Sequence, residues 1–187
     1  MTMIAESNRH TITALVEDKP GVLNRVASMF RRRGFNISSL AVGNSEIPNL
    51  SRMTFVVEGD SRTVEQVTKH LHKLIDVIKV SDISDDNAVA RELALIRVHT
   101  DTHTRSDVMQ IVDLFRAHVI DVSAESLVVE ITGEEEKLEN FTELVRPFGI
   151  VEMVRTGMIA LGRGGHTLKD EGFKPNRSRA AARRNVL

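Results

Sequence analysis

Glu17-Asp18-Lys19-Pro20-Gly21-Val22-Leu23-Asn24-Arg25, with Asn36-Ile37 a short way downstream, reads as a strand that ends, a tight turn and a helix that begins. Pro20 suits the first turn of a helix, where its missing N–H would find no partner, and Gly21 leaves the backbone open to a ligand. Such a helix start is a small anion site, because its first N–H groups and the helix dipole both favour negative charge. Asp18 and Asn36 beside it offer oxygen acceptors for an ammonium group. The combination suits a free amino acid. Two plainer roles stay open at this point: Asp18 as a helix cap or a charge favoured by the dipole, and Asn36 as a turn former ahead of the next strand.

Upstream of the turn, Thr11 to Val16 alternates as a strand with Ile12, Ala14 and Val16 on one face. Downstream, Val22, Leu23, Val26, Ala27 and Phe30 recur at helical spacing, and Gly34 stands where the helix should stop. Ile37 to Val42 and Met53 to Val57 alternate as two strands of a hairpin, joined by a long loop of turn formers from Gly43 to Asn49. Ser61 opens a second helix with Val64, Val67, Leu71 and Leu74 on one stripe, and Ile75 to Val80 closes the unit as a strand. The order is βαββαβ. Each helix has a single apolar stripe to bury, so the unit packs as a four-stranded antiparallel sheet with both helices on one face, a ferredoxin-like domain.

The same order returns after an Asp-rich stretch from Asp82 to Ala90 that reads as a linker. Leu93 to Val98 is a strand, and Val108, Ile111, Val112 and Phe115 line a helix. Val119 to Val122 and Leu127 to Ile131 form a hairpin, Leu138, Phe141, Leu144 and Val145 line a second helix, and Ile150 to Ile159 is a last strand. This is a repeat of topology with almost no residue identity. The fold class is therefore α+β, two ferredoxin-like βαββαβ domains in tandem. Past Leu161 the glycines, lysines and arginines leave too few apolar residues for a core, which predicts a basic disordered tail.

At 187 residues with 41% apolar content the chain can build two small cores, and a formal net charge of -1 advertises neither nucleic acid nor an anionic membrane. The absence of cysteine removes disulfides, thiolate nucleophiles and thiolate zinc sites. No run approaches the roughly 18 apolar residues of a membrane span, and the first nine residues lack a signal core. A soluble cytoplasmic protein follows as the expectation. No local motif supplies a nucleophile, a metal or paired acid and base groups. His99 and His103 are four apart but straddle a strand end and a loop, which is the wrong frame for zinc. Gly157 to Gly162 has P-loop glycine spacing without the lysine or the Ser/Thr. An RNA-recognition sheet needs stacking aromatics, which are 4% of this chain and include no Trp or Tyr.

Asp18-x-Pro20-Gly21-Val22-Leu23 together with the βαββαβ order resembles the ACT domain, a small-molecule sensing module that commonly binds amino acids. Arg33-Gly34-Phe35-Asn36-Ile37-x-Ser39-Leu40, Leu50-Ser51-Arg52-Met53-Thr54 and Leu71-x-Lys73-Leu74-Ile75-Asp76-Val77 extend the match. So do Arg91-Glu92-Leu93-Ala94-Leu95-Ile96, Ile120-Asp121-Val122 and Gly157-Met158-Ile159-Ala160-Leu161-Gly162-Arg163-Gly164. From about His10 to Gly164 these blocks resemble the regulatory (small) subunit of acetohydroxyacid synthase, also called acetolactate synthase. The resemblance implies an extension over residues 1–9, an effector-binding ACT domain over 10–81, a linker over 82–90, a C-terminal regulatory domain over 91–161 and the tail over 162–187.

What the resemblance implies about function is a chain with no catalytic site and no cofactor of its own. Such subunits raise the activity of a catalytic large subunit, which holds the thiamine diphosphate, magnesium and FAD, and confer feedback inhibition by valine or another branched-chain amino acid. Two small subunits pair their first domains as a homodimer, with effector at the interface. Carried onto this sequence, the effector positions are Asp18, Gly21, Val22 and Leu23 on one chain, with Asn36 and Ile37 facing them. Plain core packing competes for Val22, Leu23 and Ile37. Many relatives carry asparagine where this chain has Asp18. A stand-alone amino-acid sensor acting on another protein is the alternative, and it normally needs an output module that no segment here supplies.

Overall fold

A computed structural model describes residues 9–84 and 88–164. The first unit runs β1 (Arg9–Glu17), α1 (Val22–Arg33), β2 (Ile37–Asn44), β3 (Leu50–Glu58), α2 (Ser61–His72) and β4 (Val77–Asp82). Its antiparallel sheet has the order β2-β3-β1-β4, so β2 is an edge strand, as ferredoxin-like topology requires. Ile12, Ala14 and Val16 of β1 and Met53, Phe55 and Val57 of β3 face Val22, Val26, Met29, Phe30, Val64, Val67 and Leu71 of the two helices.

The helix α1 buries 22, 26, 29 and 30, a stripe at spacings of four, three and one. Leu23 is 46% exposed and Ala27 is also exposed, against the expectation that both face inward. Each sits about 100° around the helix from its buried neighbour, and Met29 takes the inward position instead. Gly34, at φ 70, closes the helix in the left-handed conformation, with three arginines in the last turn on the favourable side of the dipole. The hairpin loop is shorter than the sequence suggests, because β2 runs on to Asn44 and β3 starts at Leu50. Ser45 tightens it: the hydroxyl donates to Leu50 O at 2.9 Å and accepts from Ile47 N–H at 3.1 Å. Helix α2 starts where Asp60 accepts from the N–H of Thr63 at 2.8 Å. Ile75, expected to open the closing strand, is 72% exposed in the turn, and β4 begins at Val77.

The second unit repeats the order with β5 (Ala88–His99), α3 (Arg105–Leu114), β6 (His118–Val122), β7 (Ser126–Gly133), α4 (Glu135–Val145) and, after a short turn of 3-10 helix, β8 (Ile150–Arg155). Its strands lie in the order β6-β7-β5-β8. Leu138, Phe141 and Val145 of α4 are buried as expected, whereas Leu144 is 47% exposed, one residue off the stripe.

Two features depart from the single-strand ending read in the sequence. The last strand divides at Thr156-Gly157-Met158, and a further strand, β9 (Ile159–Gly162), pairs with the front half of β5 from Ala88↔Gly162 to Arg91↔Ile159. Ala88, Ala90 and Gly162, read as linker and tail, thus belong to strands, and the other residues assigned to the tail, apart from Arg163 and Gly164, lie outside the described residues. This ribbon lies on the face of the first sheet opposite its helices, where Leu15 is 1% exposed, Thr13 2%, Val56 2% and Thr54 3%, and Ala160 of β9 is 4% exposed. The first sheet is therefore buried on both faces around β1.

Glu92, itself buried, receives two hydrogen bonds from Arg155, Nε at 2.8 Å and Nη2 at 2.5 Å. This fork ties β5 to the end of β8 next to the ribbon. Glu92→Ala leaves the guanidinium without its carboxylate, and we expect a loss of about 1–3 kcal/mol, readable as a lower urea midpoint at unchanged slope. Glu92→Gln, which keeps one acceptor, should recover part of it.

Candidate effector site at the first strand-helix turn

The residues from Asp18 to Gly21 are held from both sides. The N–H of Glu17 donates to Asp76 O at 2.8 Å, and the N–H of Asp18 donates to Asn49 O at 2.9 Å. Lys19 N–H to Glu17 O at 3.1 Å and Val22 N–H to Lys19 O at 3.3 Å complete a tight turn. Gly21 adopts φ 85, the left-handed region in which a side chain is strained. A Cβ there would have only Arg25 Nη2 near it, at 4.0 Å, so conformation rather than crowding selects glycine.

No side chain caps α1, and no acid occupies its first turn. Its first backbone bond runs from Arg25 N–H to Gly21 O at 3.0 Å, and among the described residues the N–H groups of Leu23 and Asn24 have no acceptor. Asp18 therefore does not cap this helix. Its carboxylate stays exposed at the rim of an open, electropositive helix end. Arg25, in the first turn, reaches the carboxylate of Asp76, whose side chain is 9% exposed, and so pins α1 to the entrance of β4.

The turn that leads into α3, a helix that likewise has no side-chain cap bond, is one that a carboxylate does hold. Asp101 accepts from the N–H groups of His103 and Thr104, both at 2.8 Å, and from the Thr104 hydroxyl at 2.9 Å. Those bonds, the one from the Thr104 N–H foremost, pull its carboxyl from 3.8 to about 2. A carboxyl lowered by folding adds stability above its unfolded value, and the gain disappears as pH falls through the folded value. Acid titration followed by circular dichroism should therefore find Asp101→Ala less stable than the parent above pH 4, with the two converging towards pH 2. His99 and His103 take no part in a metal cluster: among the described residues no three His, Cys, Asp or Glu side chains are grouped for one.

The other expected positions divide by role. Val22 is 3% exposed and belongs to the core, so only its backbone faces the turn. Leu23 lies on the surface of the first helical turn, Ile37 packs partly against the core, and Asn36 is exposed just ahead of β2. One chain does not bring Asn36 to Asp18. Ile37 lies level with Val57, which pairs with His10, whereas Glu17 pairs with Leu50 at the other end of the sheet. At about 3.3 Å per residue, the eight steps from His10 to Asp18 put the two groups roughly 25 Å apart along the strands. No sequence pattern marks that separation.

Two ferredoxin-like units in tandem, the first with an uncapped helix end and β2 at its sheet edge, have the architecture of paired ACT domains. Residues 12–79 match the AHAS small subunit-like ACT domain, and residues 91–164 match the family described as the small subunit of acetolactate synthase. The probable acetolactate synthase small subunit of Archaeoglobus fulgidus is 54% identical over 156 residues, covering 83% of this chain and 98% of the relative. The acetolactate synthase small subunit of Mycobacterium bovis is 56% identical over 155 residues, covering 83% of this chain and 92% of the relative. The crystal structure of the acetolactate synthase small subunit from Thermotoga maritima superposes with a TM-score of 0.79 at 44% identity, covering 83% of this chain and 98% of that one. The chain belongs to the acetolactate synthase small-subunit family. No helix among the described residues is long and apolar enough to cross a membrane.

Proposed function

We propose that this chain is the non-catalytic regulatory partner of an acetolactate synthase large subunit, raising its activity and making it answer to a branched-chain amino acid, valine foremost. The observation that carries this reading is the open end of α1, with its unpaired N–H groups at Leu23 and Asn24 beside the exposed Asp18. The free edge of β2 supplies the second half. If two copies pair antiparallel along β2, the Asn36 end of one strand meets the Asn44 end of the other. Asn44 pairs with Ser51, which pairs with Val16, so that end is level with Asp18. A homodimer of this kind covers an exposed edge and completes a site that one chain leaves 25 Å apart, as estimated from the strand rise.

In that site the effector carboxylate meets the unpaired N–H groups of Leu23 and Asn24 beside Gly21, and the helix dipole favours it. Asp18 and Asn36 of the partner subunit hold the ammonium. Leu23 and Ile37 of the partner subunit form the wall for a branched side chain. Thiamine diphosphate, magnesium and FAD belong to the large subunit, and this chain contributes no chemical step. Inhibition is then a shift of population: the effector favours the dimer geometry that activates less, by as much as its affinity differs between the two.

The test is acetolactate formation by the cognate large subunit, with and without this chain, across a valine titration. Stimulation that valine reverses is the expected result. Stimulation that neither valine, isoleucine nor leucine reverses would remove the effector assignment, and no stimulation at all would favour a stand-alone sensor.

A further inference from the structure

The junction between β8 and β9 sits directly on β2. The N–H of Met158 donates to Ser39 Oγ at 2.9 Å, across 119 residues of sequence. Gly157, at φ 80, lies so close to the same strand that a Cβ would stand 3.0 Å from Leu40 O and 3.0 Å from Ser39 Oγ. The Thr11 hydroxyl reaches Met158 Sδ at 3.9 Å from β1, two strands across the sheet from β2. On either side of this contact the two sheets part, leaving clefts of about 420 Å³ and about 350 Å³. One is lined by Ala41, Gly43, Ile159 and Leu161, the other by Ser38, Arg155 and Thr156. The contact on β2 thus lies between two clefts and is made by Gly157 and Met158, in the junction that separates a strand of the second sheet from the ribbon laid on the first.

We propose that Gly157 and Met158, docked on Ser39 and Leu40 of β2, form the joint through which occupancy of the effector site sets the placement of the C-terminal sheet. The inference rests on the effector site proposed above and adds how that site is heard elsewhere. β2 carries Ile37 at its start and is the strand that pairs across the dimer, so a change in dimer geometry moves it first. Close-packed contacts transmit such a shift rather than absorb it, because a backbone oxygen 3.0 Å from the position of a missing Cβ has no slack. Beyond Gly157 the chain leads straight into Arg155, Glu92 and the second sheet.

Two variants test this in the full chain assembled with its large subunit. Gly157→Ala forces a Cβ against Leu40 O in a strained backbone conformation, and Ser39→Ala removes only the acceptor, so it preserves the fold if the first does not. Valine binding to the chain is measured by isothermal titration calorimetry, and inhibition is measured by acetolactate formation in the same preparations. The expected result is binding within about twofold of the parent, with the valine needed for half-inhibition raised by about tenfold or the maximal inhibition lost. Unchanged binding with an unchanged inhibition curve in both variants overturns the joint while leaving the effector site standing. Lost binding in Ser39→Ala also overturns it, since the contact would then belong to the site itself. A parent chain that binds none of valine, isoleucine or leucine removes the effector site, and this proposal with it.

Discussion

Asp18→Ala should raise the valine concentration for half-inhibition by about 10- to 100-fold, the range expected when one charge-assisted hydrogen bond to an ammonium is removed. The reasoning is local. Among the described residues Asp18 neither caps α1 nor accepts a side-chain bond, so its loss should disturb the fold little and be felt by whatever cation lies at the rim. Stimulation of the large subunit in the absence of valine should survive the change. Asn36→Ala should act in the same direction through the other chain, and a mixed dimer carrying one of each variant should keep one intact site. Asp18→Asn retains an oxygen acceptor but loses the charge, so it should fall between parent and alanine. An inhibition curve that superimposes on the parent in both alanine variants would remove the assignment of these residues.

Phe55→Ala should cost about 3–5 kcal/mol, the range for deleting a buried aromatic side chain. Phe55 is fully buried at the centre of β3, with its ring stacked on Phe30 of α1 at 5.3 Å and Leu40 of β2 beside it. The cavity opens under both elements that frame the candidate site. Loss of this size is a large share of the 5–15 kcal/mol that typically holds a domain together. Urea unfolding should show an early transition for the first unit, and effector inhibition should be lost with it. Phe55→Leu, which keeps most of the volume, should restore most of the stability. A Phe55→Ala chain that unfolds at the parent's midpoint would mean that this core does not carry the first unit.

Most of the architecture was legible because it is local. Val22, Val26 and Phe30 recur at the helical period, Gly34 stops α1, and Ile12, Ala14 and Val16 alternate as a strand must; each pattern reports which face of its own element is buried. The order of those elements then leaves few topologies, and the observed order β2-β3-β1-β4 is the one that right-handed connections require. The turn ahead of α1 was legible for the same reason, since Pro20 and Gly21 each have a local conformational role.

What the tertiary structure alone decided is everything that depends on a second surface. Nothing in Thr13, Leu15, Thr54 or Val56 says that a ribbon from the far end of the chain covers them, since a Thr or Val on a sheet face suits solvent and burial about equally. Gly157 reads as one glycine among several until Leu40 O is found 3.0 Å from where its Cβ would be. Asp18 and Asn36 look like neighbours in a motif, yet strand register sets them at opposite ends of one sheet. Sequence determined the elements and the chemistry each carries, because periodicity and capping act over a few residues. Which of those elements touch, and hence that Asp18 and Asn36 of one chain stand roughly 25 Å apart along the strands, is set by contacts between residues too distant in sequence to leave a pattern in it.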